Sequence, residues 1–336
     1  MTQKLIFPIF LLLTLNVFAQ TNVEGTSYSH FQITSNKDTI DFVVADTNLW
    51  VTKPLLLFCQ GSLPVPLFIN IGENRIWPAT LSNFNLEELN KNYHVAVISK
   101  PKTPLIVNEE NLNPSSCYVT DTANPYSFSE EYTNADYLEN YVNRANKVLK
   151  FLKKQKWIAS ERLVVAGHSQ GGPIATQIAL QNEAVTELGL FGVDPFGLID
   201  IAIRRARLNA QLGRITWEEA DSTMTQLYEE YKVVNNVDSV TQNPKMRSLQ
   251  SFSKPFYDDL LKLKIPIYMA YGTEDIIADL CDLMPLFFIE KGKTNLTLKR
   301  YLGMDHNFFE VDEDGRANHD KAHWIEVMQE FVNWIK

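Results

Sequence analysis

Cysteine and positive charge are what this sequence is short of. Three cysteines in 336 residues, Cys59, Cys117 and Cys281, make too sparse and odd a set for a disulfide scaffold. No CxxC pair and no HExxH occurs, so no metal signature is present. Lys and Arg number 31 against 40 Asp and Glu, giving a net charge of −9. That balance argues against nucleic acid or an anionic membrane surface as the main partner, because both need clustered cations. The one basic run, Lys153-Lys154-Gln155-Lys156, falls at the end of an expected helix, where cations complement the helix dipole. A membrane-length apolar run is also missing. Leu5 to Phe18 is apolar behind Lys4, but Pro8 and Asn16 interrupt it and it is too short to span a bilayer. With Val17 and Ala19 it reads as a secretory leader over residues 1–19, cleaved after Ala19. The residue after Ala19 is not cysteine, so a lipid anchor is not expected.

What is there is apolar residue enough, 45% of the chain, for one large core or a core with a subdomain. Tyr28 to Thr34 and Thr39 to Ala45 alternate partly, as antiparallel edge strands do, with Asn36-Lys37-Asp38 as the turn. Leu55 to Cys59 and Tyr93 to Ser99 are continuous apolar runs, the mark of interior strands covered on both faces. Lys100 to Thr133 is an aperiodic loop rich in Pro, Asn, Ser and Thr. Ala135 to Leu152 carries apolar residues at helical spacing. Strands follow at Arg162 to Ala166, Leu188 to Val193, Pro266 to Tyr271 and Leu296 to Tyr301, and an amphipathic helix with Trp324, Val327, Met328, Phe331 and Trp334 on one side ends the chain. Between Phe196 and Lys262 the chain is polar and helical without a clear strand. Arg204 to Gln211 stops at Gly213, and Thr216-Trp217-Glu218-Glu219 is a capping box opening a helix toward Tyr231. Strands alternating with helices predict a mostly parallel α/β sheet with right-handed crossovers, a core over 20–195 and 262–336, and a helical cap inserted at 196–261.

The chemistry-bearing stretch is Gly167-His168-Ser169-Gln170-Gly171-Gly172, directly behind a buried strand. G-x-S-x-G at a strand-to-helix turn lifts one hydroxyl into the open and aims a helix N-terminus at what binds there. A serine hydroxyl needs a base, and the base an orienting acid. Gly272-Thr273-Glu274-Asp275 and Gly303-Met304-Asp305-His306 each follow a later strand, where ligands of such sheets bind. Asp194 also follows a strand and is a rival acid, as is Asp279, with Asp275 then a helix cap. His168 is expected to pack locally, Asp305 to be a solvated turn residue, and Trp217, Tyr228 and Tyr231 to pack within the cap. Phe196, Leu198 and Ile199 are expected to help form the pocket wall.

In these three motifs and their order the chain resembles the α/β-hydrolase superfamily, from about Ile40 to the C-terminus apart from the cap. The resemblance implies Ser169 as nucleophile, Asp275 as acid and His306 as base. It implies an oxyanion hole from the Gln170 N–H and, after an early strand, the Ser62 N–H, although Gln60-Gly61 stands where many members carry His-Gly. It further implies a serine hydrolase acting on a small-molecule ester or acyl substrate through an acyl-enzyme, and the leader over 1–19 makes that enzyme secreted or periplasmic. No cofactor, metal, nucleic acid or membrane partner is implied. A serine peptidase or amidase of prolyl-oligopeptidase type, and a binding protein that kept the fold without catalysis, are the alternatives.

Overall fold

The computed structural model describes residues 20–35, 38–73, 75–82, 84–236 and 243–336. The leader expected over 1–19 and the Asn36-Lys37 part of the first turn lie outside the described residues.

Nine strands make the main sheet: β1 Gln20–Asn22, β2 Ser29–Ser35, β3 Asp38–Val44, β4 Lys53–Cys59, β5 His94–Ile98, β6 Ile158–His168, β7 Glu187–Phe191, β8 Ile267–Gly272 and β9 Leu296–Tyr301. Their order across the sheet is β1-β2-β3-β5-β4-β6-β7-β8-β9. β1 to β3 pair antiparallel and β3 meets β5 antiparallel; from β5 onward every neighbour is parallel. The antiparallel hairpin therefore takes the edge, as partial alternation requires, and the continuous apolar runs take the interior.

Strand period explains why those runs have no polar face. Leu55, Leu57, Leu163, Val165, Ile267 and Met269 enter one core, beneath helices α1 Leu138–Leu152, α2 Gly171–Gln181 and, later in the chain, Ala278–Glu290. Leu56, Phe58, Val164, Ala166, Tyr268 and Ala270 enter the other, beneath the last helix, Trp324–Trp334. Successive residues point to opposite faces, so a strand with helices on both sides must be apolar at every position.

Between β7 and β8 the described residues hold helices only: α3 Leu198–Gln211, α4 Trp217–Val234, α5 Pro244–Phe252 and α6 Tyr257–Lys262. The Thr216–Glu219 capping box is formed in both directions. Helix α3 packs on α4, α5 on α4 and α1, and α6 on α2. Helix Ala278–Glu290 is α7 and Trp324–Trp334 is α8.

The aperiodic stretch 100–133 is not all loop. Ile106–Asn108 adds a parallel strand to Phe68–Asn70, which pairs with Ile76–Pro78, and Glu130–Ala135 is a short helix. Three-residue strands are below the length at which a period can be read.

Candidate active site

Ser169 has φ 52°, a left-handed conformation that non-glycine residues adopt only where the surroundings enforce it. Here its N–H donates to Phe191 O of β7 at 2.9 Å, and its carbonyl accepts the Gly172 N–H at 2.9 Å to open α2. The flanking glycines are required by close approach. A Cβ on Gly167 would lie 2.1 Å from Gly171 O, and one on Gly171 would lie 2.0 Å from Cys59 O of β4.

The acid and base loops are stitched together. Thr273 N–H donates to Tyr301 O and Glu274 N–H to Met304 O, each at 2.9 Å, while Gly303 N–H donates to Thr273 Oγ1 at 2.9 Å. Asp305 Oδ1 accepts the N–H groups of Asn307 and Phe309, both at 2.9 Å, which folds the His306 turn, so Asp305 is a turn residue with a structural task. As a result His306 Nδ1 donates to Asp275 Oδ2 at 2.7 Å, and His306 Nε2 accepts from Ser169 Oγ at 3.0 Å. The carboxylate fixes the tautomer that leaves Nε2 free to accept. Burial pulls the His306 imidazolium down, but the hydrogen bond and charge of Asp275 outweigh it and hold the pKa above 6.5. Asp275 Oδ1 also accepts the Ile277 N–H at 3.4 Å ahead of α7, so this residue orients the histidine and braces the turn together.

Asp194 is not in that row. Its Oδ1 accepts the Phe196 N–H at 2.7 Å, a turn role, and its buried Oδ2 has no partner among the described residues. Asp279 pairs instead with Arg204 of α3, at 2.5 Å. His168 Nε2 donates to His306 O at 3.2 Å, and its ring packs against those of His306 and Trp324. Burial, with His306 beside it, pushes His168 down to about 3, so it stays neutral. His30 and His94 lie on β2 and β5, and His319 and His323 on and just after the strand Ala317–Ala322.

Ser62, Ser169, Gln170 and His306 line one cavity of about 120 Å³. The N–H groups of Ser62 and Gln170 have no protein acceptor among the described residues. Gln60, at the departure from His-Gly, turns its side chain away: Nε2 donates to Ile98 O at 2.9 Å and Oε1 accepts from Thr80 Oγ1 at 3.0 Å, pinning the loop that presents Ser62. The rest of the wall is mostly apolar, from Pro173, Leu198, Ile201, Phe252, Phe256 and Ile277, with Gly192, Asp194 and Gly197 also lining it. Of the expected wall residues Leu198 is there, while Ile201 takes the place of Ile199, being one helical turn from Leu198. Phe196 stacks on Tyr257 at 5.1 Å instead. Trp217 and Tyr228 are half exposed and neither is part of this wall; Trp217 packs beneath the Arg207 guanidinium of α3, a contact between two helices of the insertion. The contribution of Phe252, Phe256 and Pro173 to the wall had no sequence signal, because each is brought there only by packing.

No protein-family model matches the sequence, and no curated protein matches it. Among solved structures the chain is similar to a candidate dipeptidyl aminopeptidase IV from Bacteroides ovatus, with a TM-score of 0.51 and 14% identity over 93% of this chain and 36% of that one. It is also similar to the acylaminoacyl peptidase of Pyrococcus horikoshii (TM-score 0.47, 13% identity, 87% of this chain and 38% of that one). A third is an esterase from Rhodococcus sp. (TM-score 0.46, 15% identity, 92% and 99%). The chain thus spans little more than a third of the length of the first two. At this identity the likeness concerns the fold. The sheet order, the crossovers and the elbow between β6 and α2 define it: this chain has the α/β-hydrolase fold.

Proposed function

We propose that the protein is a serine hydrolase that cleaves small carboxylic esters through an acyl-enzyme on Ser169. The unbroken hydrogen-bonded row from Asp275 through His306 to Ser169, ending at a cavity with two free backbone N–H groups, carries this reading. His306 takes the Ser169 proton as Oγ attacks the ester carbonyl, and the N–H groups of Gln170 and Ser62 hold the developing oxyanion at the positive end of α2. The imidazolium then gives its proton to the leaving alcohol. Water, deprotonated by the same histidine, releases the acid. Helices α3 to α6 act as a cap that supplies the apolar wall. A cavity of about 120 Å³ favours short acyl groups, since one of about 150 Å³ holds a benzene. The apolar run Leu5 to Phe18 supports export to the periplasm or beyond.

A fluorophosphonate probe and a chain-length series of p-nitrophenyl esters test this. Wild type is expected to take one probe at Ser169, Ser169→Ala none, and turnover to fall beyond short acyl chains. An unlabelled but folded wild type refutes the nucleophile, and activity on anilides exceeding that on matching esters turns the reading to a peptidase.

A further inference from the structure

Lys100 stands two residues after β5, at the C-terminal end of the strand, and is only 2% exposed. Placing an ammonium out of water costs several kcal/mol unless a carboxylate compensates at close range. Among the described residues no carboxylate lies within ion-pair distance of it. The two thiols nearby do not serve, because burial pushes Cys117 up to about 11 and Cys59 up to about 12, leaving both neutral. What the ammonium does touch is specific: it donates to Gln170 Oε1 at 3.3 Å and sits 4.7 Å from the centre of the Tyr141 ring. Gln170 is the residue after Ser169, and its own N–H faces no protein acceptor.

The other end of the Gln170 amide is held as well. Nε2 donates to Asp136 Oδ1 at 3.5 Å, and that carboxylate also accepts from Tyr141 OH at 2.8 Å and, through Oδ2, from Ser248 of α5 at 3.0 Å. A cation on the amide oxygen and an anion on the amide nitrogen leave a single favourable orientation for the side chain. The clamp runs from the helical insertion, through Asp136, to Gln170, the N-cap of α2. Nothing about stability requires a buried lysine here, since a methionine would fill the same space without desolvation.

We propose that Lys100 is a positioning residue for the acyl transfer: by fixing the Gln170 side chain it keeps the Gln170 N–H aimed at the oxyanion. This rests on Ser169 being the nucleophile. The substrate never touches Lys100; the residue acts entirely through Gln170. Misaiming a backbone donor by a fraction of an ångström loses transition-state stabilisation while leaving the apolar binding wall intact.

A double-mutant cycle on the full chain tests it, with p-nitrophenyl acetate turnover and the rate of fluorophosphonate labelling as readouts. Lys100→Met and Gln170→Ala, the second of which keeps the backbone N–H, are each expected to lower kcat roughly tenfold with KM within about twofold. The double variant is expected to be no slower than the slower single one, because both changes release the same clamp. Labelling rates should follow kcat. Additive losses, an unchanged kcat in either single variant, or a loss confined to KM overturns the proposal. If Lys100→Met does not fold, Lys100→Gln takes its place in the same cycle, and an unchanged kcat in that variant overturns the proposal. A wild type that resists the probe overturns the Ser169 reading and this one with it; a labelled wild type with additive losses overturns only the role of Lys100.

Discussion

Two carboxylates follow successive strands of the sheet, and their surroundings separate them. Asp275 reaches His306 at 2.7 Å, whereas Asp194 spends one oxygen on the Phe196 N–H and leaves the other buried and unpaired. Asp275→Asn is therefore expected to lower kcat by about 10⁴, the scale seen when an orienting aspartate is lost, and Asp194→Asn by less than about tenfold. Because activity needs neutral His306, kcat/KM should rise with pH through a midpoint above 6.5. Removing the Asp275 charge should move that midpoint down, and a midpoint that stays put would sink the assignment. Asp194 carries a separate consequence for stability. Burial pushes its carboxyl up to about 7, against the Phe196 N–H that favours the charged form, while in the unfolded chain it titrates near 4. The folded state thus holds the proton more tightly, so this contribution is complete below about pH 4 and is lost as pH rises through 7. Asp194→Asn should gain on wild type between pH 5 and pH 8, by roughly 2–4 kcal/mol at the upper end. Urea unfolding at the two pH values measures it, and a gap that does not widen contradicts the burial argument.

At the scale of elements, the site depends on β4, β6 and α2 lying closer than side chains would permit. Gly171→Ala places a methyl on the Cys59 carbonyl, backbone that cannot rotate away. The expected result is a loss of several kcal/mol or a displaced α2 with activity down at least about tenfold, read by thermal unfolding and turnover together. A fully active, equally stable variant would mean the approach is looser than 2.0 Å suggests. The elbow, the two loops and the capping box at Thr216 were all legible beforehand, because each is written in adjacent residues: a G-x-S-x-G pattern, glycines after apolar runs, a threonine three residues before a glutamate. Lys100 was legible only in its position at a strand end. Its burial, and the Asp136–Gln170 clamp, join residues 36 and 70 positions away from it, and no local pattern encodes such a meeting.

For the whole molecule, the sheet is one continuous partition with a core on each side. Phe331 of α8 is fully buried on Phe191 (5.3 Å) and Tyr268 (5.5 Å), so it fastens the C-terminal helix to two adjacent parallel strands, β7 and β8. Phe331→Ala should cost about 3–5 kcal/mol, measured by denaturant unfolding. The loss should fall on stability alone while the chain remains folded, since neither Phe331 nor its ring partners line the cavity at Ser169. An unchanged unfolding midpoint would show that α8 is not part of the cooperative core.

By itself the sequence determined the alternation of strands and helices, and with it a parallel sheet whose strand ends carry Ser169, Asp275 and His306 in that order. Period and turn chemistry are local, so they survive without a structure. Which aspartate meets the histidine was open between Asp194 and Asp275, because both follow a strand and spacing along the chain says nothing of direction. The stitched loops after β8 and β9 decided it. The pocket wall of Pro173, Phe252 and Phe256, the small sheet around Phe68–Asn70 and the clamp on Gln170 were likewise decided only by packing, where residues distant in the chain become neighbours in space.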